Sequence, residues 1–158
     1  MSKLFNGLVC LLLASFMIIV AGCGEDAQIK EIKNSTVAYS ASSKICMLKK
    51  IDDAPKIGDA IDILFKDKEW KIENENGRDF VIFRGTLELK GQSPQKILFA
   101  FTNKGDYYSL VGMQLDNYRI RNDVQFIYLL AILQAYDPSY DFTKNGIPKE
   151  VIDDVKKF

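Results

Sequence analysis

The chain is 158 residues long and balances 21 Lys and Arg against 21 Asp and Glu. With no net charge, it offers no basic stripe for nucleic acid and no polybasic run for anionic lipid headgroups. It contains no histidine, which excludes Ser-His-Asp and Cys-His catalysis, His-ligated zinc and histidine general bases.

Residues 1 to 22 read as a leader. Lys3 and the amino terminus give it a basic start, and residues 8 to 21 are almost wholly apolar, interrupted only by Cys10 and Ser15. A membrane-spanning helix needs roughly 20 apolar residues. This run is shorter and ends in small residues, the pattern of a secretory h-region. Val20-Ala21-Gly22-Cys23 sets an aliphatic and two small residues before a cysteine, and the sequence turns polar beyond it. This stretch resembles the lipobox of bacterial lipoproteins. The resemblance implies that the Cys23 thiol receives a diacylglyceryl group, that the leader is cut between Gly22 and Cys23, and that the new amino terminus is acylated. Stable anchoring takes two or more chains, so a triacylated Cys23 holds the protein to the membrane without a spanning helix. In a Gram-negative cell an Asp after the cysteine signals inner-membrane retention, and Gly24 favours the outer membrane. The expected location is the bacterial cell envelope, lipid-anchored and extracytoplasmic.

The expected organisation is a signal peptide over 1–22, a lipidated amino terminus and tether over 23–33, and a single domain over 34–158. Glu25, Asp26, Lys30, Glu31 and Lys33 keep the tether solvated. With Cys10 removed and Cys23 lipidated, Cys46 is the only free thiol, and no intramolecular disulfide is available. Residues 36–39 and 45–48 read as short extended pieces around Ser40-Ala41-Ser42-Ser43. Cys46 lies in the second and, lacking an activating base, reads as a small packed thiol. After the turn Asp52-Asp53-Ala54-Pro55, the spacing of Ile57, Ala60, Ile61 and Leu64 predicts a helix over 57–66. Ile63 and Phe65 widen its apolar face. Asp59 and Asp62 lie near its amino end, where the helix dipole favours acids.

The β region opens at Trp70. Residues 69–75 alternate, with Trp70 and Ile72 on one face and Lys71, Glu73 and Glu75 on the other. Asn76-Gly77 predicts a type I′ hairpin turn, because both central residues need positive φ. The return strand covers 79–90 with Val81, Phe83, Leu87 and Leu89 inward, and Gly85 marks a bulge or a close approach. Residues 97–102 are apolar on both faces, as a central strand is. A fourth strand over 107–115 alternates through Tyr107, Val111, Met113 and Leu115. Four runs joined by short turns predict an antiparallel meander.

Asn122 or Asp123 is placed to cap a helix over 124–136 that is apolar nearly all round and therefore buried. Asp137-Pro138 ends it, and residues 149–158 form a last short helix. Asp141, Thr143, Asn145 and Gly146 imitate the start of an EF-hand loop, but Ile152 stands where the bidentate acid is required.

No P-loop, dinucleotide fingerprint, Cys-x-x-Cys pair or Gly-x-Ser-x-Gly elbow occurs, and no cofactor or metal is expected. Glu73 and Glu75 share a strand face but flank a turn, where solvated acids belong. The aromatic set Trp70, Phe83, Phe99, Phe101, Tyr107, Tyr108 and Tyr118 reads first as core, and second as the lining of an apolar pocket or contact patch. Lys56-Ile57-Gly58-Asp59-Ala60, then Trp70, then the strand through Val81, resembles a small domain of bacterial secreted proteins and lipoproteins. That resemblance covers roughly residues 35 to 136; it implies a helix, a β-meander and a closing helix, and no activity. The expected fold is α+β: a four-stranded antiparallel β-meander with helices packed on one face. The expected function is a non-enzymatic, lipid-anchored envelope module. Its membrane attachment is the lipid on Cys23, its partner an envelope protein or a small apolar ligand, with no nucleic acid. The alternative is a small carboxylate-dependent hydrolase acting on a cell-wall polymer.

Overall fold

A computed structural model of the chain describes residues 25–156. Cys23 lies outside them. The first element is helix α1 (Ala27–Lys33), within the stretch expected to be tether. Asp26 caps it by accepting from the Gln28 N–H at 2.8 Å, and Lys30 and Lys33 occupy the last turn, where cations suit the helix dipole. Ile29 and Ile32, three residues apart, bury on one side. Among the described residues, packing therefore already involves the stretch expected to be tether.

Strands β1 (Thr36–Ser40) and β2 (Ile45–Lys49) form a hairpin, in register from Thr36↔Lys49 to Ser40↔Ile45. Helix α2 (Ile57–Leu64) buries Ile57, Ala60 and Ile61 and runs without a loop into β3 (Phe65–Glu75). The helix expected over 57–66 thus stops two residues early. Phe65 is buried in the strand, and Ile63, expected on the apolar face, is 73% exposed.

Strand β3 pairs with β4 (Arg78–Leu87) through the Asn76-Gly77 turn, whose φ angles of 53° and 73° are both positive, as type I′ requires. The register slips between Lys66 and Glu69, with Asp67 in the left-handed region at φ 49°. The bulge therefore lies in β3, opposite Gly85. Gly85 supplies clearance: a Cβ there would stand 2.7 Å from Phe83 Cζ and 3.1 Å from Phe65 Cδ1. Strands β5 (Gln95–Asn103) and β6 (Tyr108–Leu115) follow, and a second bulge leaves Val111 unpaired between Ala100↔Gly112 and Phe101↔Leu110. The extra residue shifts the alternation. Tyr108, Leu110 and Met113 are buried, whereas Tyr107 and Val111, expected to alternate in step with Met113, are only half-buried.

The fold is α+β. The expected meander is present as β3-β4-β5-β6, but the sheet is larger: among the described residues it has seven strands, six in the order β1-β2-β6-β5-β4-β3 and a seventh off that path. Strand β2 joins β6 through Leu48↔Tyr108, and the short β7 (Tyr118–Arg119) pairs with β6 through Gln114 and Leu115. The addition was not legible because β2 and β6 lie far apart in sequence.

The core is aromatic. Phe83, Phe99 and Phe101 are fully buried, and Trp70 lies 4.8 Å from Phe83, centroid to centroid. Helix α3 (Gln125–Tyr136) contributes Leu129, Leu130, Ile132 and Leu133 to the same cluster, and α4 (Lys149–Val155) adds Ile152 and Val155. Val124 takes the N-cap position of α3. Of the expected caps, Asn122 accepts from the buried Gln125 Nε2 at 3.1 Å, and Asp123 pairs with Arg121 at 2.5 Å. A 3-10 turn (Phe142–Asn145) lies against edge strand β1, where Asn145 Nδ2 donates to the Val37 carbonyl at 2.9 Å.

Candidate functional site

The face of the sheet turned away from the aromatic core carries a second apolar patch. The pairs Glu73↔Phe80, Lys71↔Ile82, Ile82↔Ala100, Arg84↔Leu98 and Ala100↔Gly112 place these side chains on one face. Ile82 is only 7% exposed, yet it is not part of the core cluster. Phe80, Leu98, Ala100 and Val111 around it are half-buried. Together they line an open groove of about 500 Å³. Its floor is low because two small residues meet there: a Cβ on Gly112 would stand 3.2 Å from the Ala100 Cβ. Glu73 and Glu75 lie at one rim, Gln114 and Arg119 at the other.

The acids at the rim are set for structure. Glu73 pairs with Lys71 and lies 3.9 Å from Arg84. The Lys71 hydrogen bond, aided by the charges of Lys71 and Arg84, holds the Glu73 carboxyl below its ordinary range. A general acid needs the opposite shift. Asp59 and Asp62 are exposed on α2, and Asp62 pairs with Lys68 at 3.2 Å. The EF-hand imitation is used locally. Asp141 accepts from Thr143 N–H and Oγ1, Asn145 serves Val37 and Tyr140, and Gly146 adopts φ 79°. Among the described residues, no group of three or more His, Cys, Asp or Glu side chains is arranged to hold a metal ion. Cys46 is half-buried on β2, and burial pushes its thiol pKa up, which lowers the thiolate fraction.

Of the aromatic set, Trp70, Phe83, Phe99, Phe101 and Tyr108 pack with the core, while Tyr118 is 77% exposed on β7. The Tyr108 hydroxyl donates to Glu31 Oε2 at 2.6 Å. Burial, then that bond, pushes its pKa up to about 12. The residues that build the open-face patch were missed as a site. Their signal was present: apolar residues at positions 80, 82, 98 and 100 fall on the outward side of strands whose inward side is already apolar.

No helix among the described residues is long and apolar enough to cross a membrane. Compared with known proteins, the chain matches no family model, no curated protein and no solved structure.

Proposed function

We propose that the protein is a lipid-anchored component of the bacterial cell envelope, attached through lipid on Cys23, whose folded part binds another envelope protein and performs no catalysis. The open face of the sheet is the binding surface. The observation that carries this reading is the buried Ile82 outside the core, set among Phe80, Leu98, Ala100 and Val111. An apolar centre with a charged rim is the anatomy of a protein interface, and a contiguous apolar patch on a soluble surface marks an interaction site. The Val20-Ala21-Gly22-Cys23 sequence supports the anchor and the compartment.

A photo-crosslinking residue in place of Leu98 tests the surface in intact cells, with the same residue at the exposed Ile63 of α2 as control. The expected result is a discrete adduct from position 98 alone, lost on Phe80→Asp. Identical adducts from both positions, or none from position 98, refute it.

A further inference from the structure

Four lysines from three places in the sequence meet around one groove. Lys30 comes from α1, Lys49 ends β2, Lys50 follows it, and Lys56 immediately precedes α2. With Tyr107 and Tyr108 they line an opening of about 620 Å³. Lys30, Lys49 and Lys50 are exposed, and among the described residues none of the four has an ion pair. Two acids share the lining, Glu31 and Asp106. Glu31 already accepts the Tyr108 hydroxyl. The groove therefore carries an excess of positive charge, although the whole chain is neutral and no linear polybasic run exists.

The position of the groove matters as much as its charge. Ala27 forms part of its wall, and only Gly24, Glu25 and Asp26 separate Ala27 from Cys23. Four residue steps reach at most about 14 Å. Screening at physiological salt acts over about 8 Å, and so short a tether lets the surface that holds Cys23 come within that distance of these ammonium groups. We propose that this groove seats the phosphate groups of anionic lipids in the bilayer that holds Cys23, so that the domain lies against the membrane with the α1–β2 end down. The inference rests on the Cys23 anchor proposed above. Each lysine brought to an anionic surface is worth about fivefold in occupancy. Tyr107, half-buried at the same opening, suits an interface where one end of a side chain is apolar and the other wet.

The test uses the full chain, purified from membranes and reconstituted in vesicles of phosphatidylcholine alone or of phosphatidylcholine with phosphatidylglycerol. Acylation rates of individual lysines are read by mass spectrometry. Lys30, Lys49, Lys50 and Lys56 should slow about fivefold in the anionic vesicles relative to the neutral ones. Lys96, at the opposite end of β5 and paired with Thr86, should keep its rate. Inorganic phosphate added to neutral vesicles should protect none of them. Equal rates in both vesicles overturn the proposal, and so does full protection by inorganic phosphate alone, which would assign the groove to a soluble anion. Failure of the anchor is separately visible as an unmodified Cys23 in the mass of the amino-terminal peptide. Failure of the headgroup contact is unprotected lysines on a chain whose Cys23 carries lipid.

Discussion

Asn145→Ala should destabilise the protein more than any other single polar replacement in its tail. Asn145 is 4% exposed and serves two partners: its Nδ2 donates to the Val37 carbonyl at 2.9 Å, and its Oδ1 accepts the Tyr140 hydroxyl at 2.8 Å. The two losses are unequal. Val37 is 1% exposed, so its carbonyl is left without a partner, at a cost of about 1–3 kcal/mol. Tyr140 is only half-buried, and water replaces its lost acceptor at about 0.5 kcal/mol. The sum is about 2.5 kcal/mol, equivalent to about 9 °C in Tm for a domain of this size. Urea unfolding of the detergent-solubilised wild type, Asn145→Ala and Tyr140→Phe measures the losses. Tyr140→Phe leaves the Oδ1 of the 4% exposed Asn145 without its donor and should cost about 1 kcal/mol or more in its own right. A loss below about 0.5 kcal/mol for Asn145→Ala would show that the Val37 bond does not secure β1.

Cells given labelled palmitate should label the wild type and not Cys23→Ala; equal labelling would defeat the anchor. Gly77→Ala tests the hairpin alone, because nothing lies within 4 Å of a Cβ there; the cost should be about 1 kcal/mol from positive φ, seen in the urea midpoint. Tyr108 keeps its proton above the ordinary tyrosine range, so the folded state favours the neutral phenol. That contribution is complete below the unfolded pKa and fades as pH rises from about 10 to about 12, the raised folded value; Tyr108→Phe should remove this part of the pH dependence of stability. Cys46 should react slowly with a thiol reagent in the folded protein and quickly in urea, since its burial suppresses the thiolate.

Local signals in the sequence translated well into structure. Asn76-Gly77 demanded two positive φ values and has them, and the spacing of Ile57, Ala60 and Ile61 marked the buried face of α2. What was hidden depends on partners distant in the chain. The two isoleucines of α1 are too few to show a period among charges, yet both are buried. The Val111 bulge inverted the inward side of the first half of β6, an insertion that alternation by itself cannot reveal. Apolar residues on both sides of β5 signalled a central strand but not that one side would remain open, because that depends on where the helices settle. The lysine groove was invisible for a related reason: its charges come from three separate places and only the fold adds them together.

The link between β2 and β6 has a further consequence. Strands β3 to β6 pair along most of their lengths, whereas β2 meets β6 at a single register pair, Leu48↔Tyr108. Local opening follows the thinnest connections. The β1–β2 hairpin is therefore joined to the meander by few strand-to-strand bonds, and its attachment relies on Val37 and Leu48 in the core and on the Asn145 bond. Both residues of the Leu48↔Tyr108 seam also line the lysine groove. A ligand seated in the groove would touch both sides of that seam.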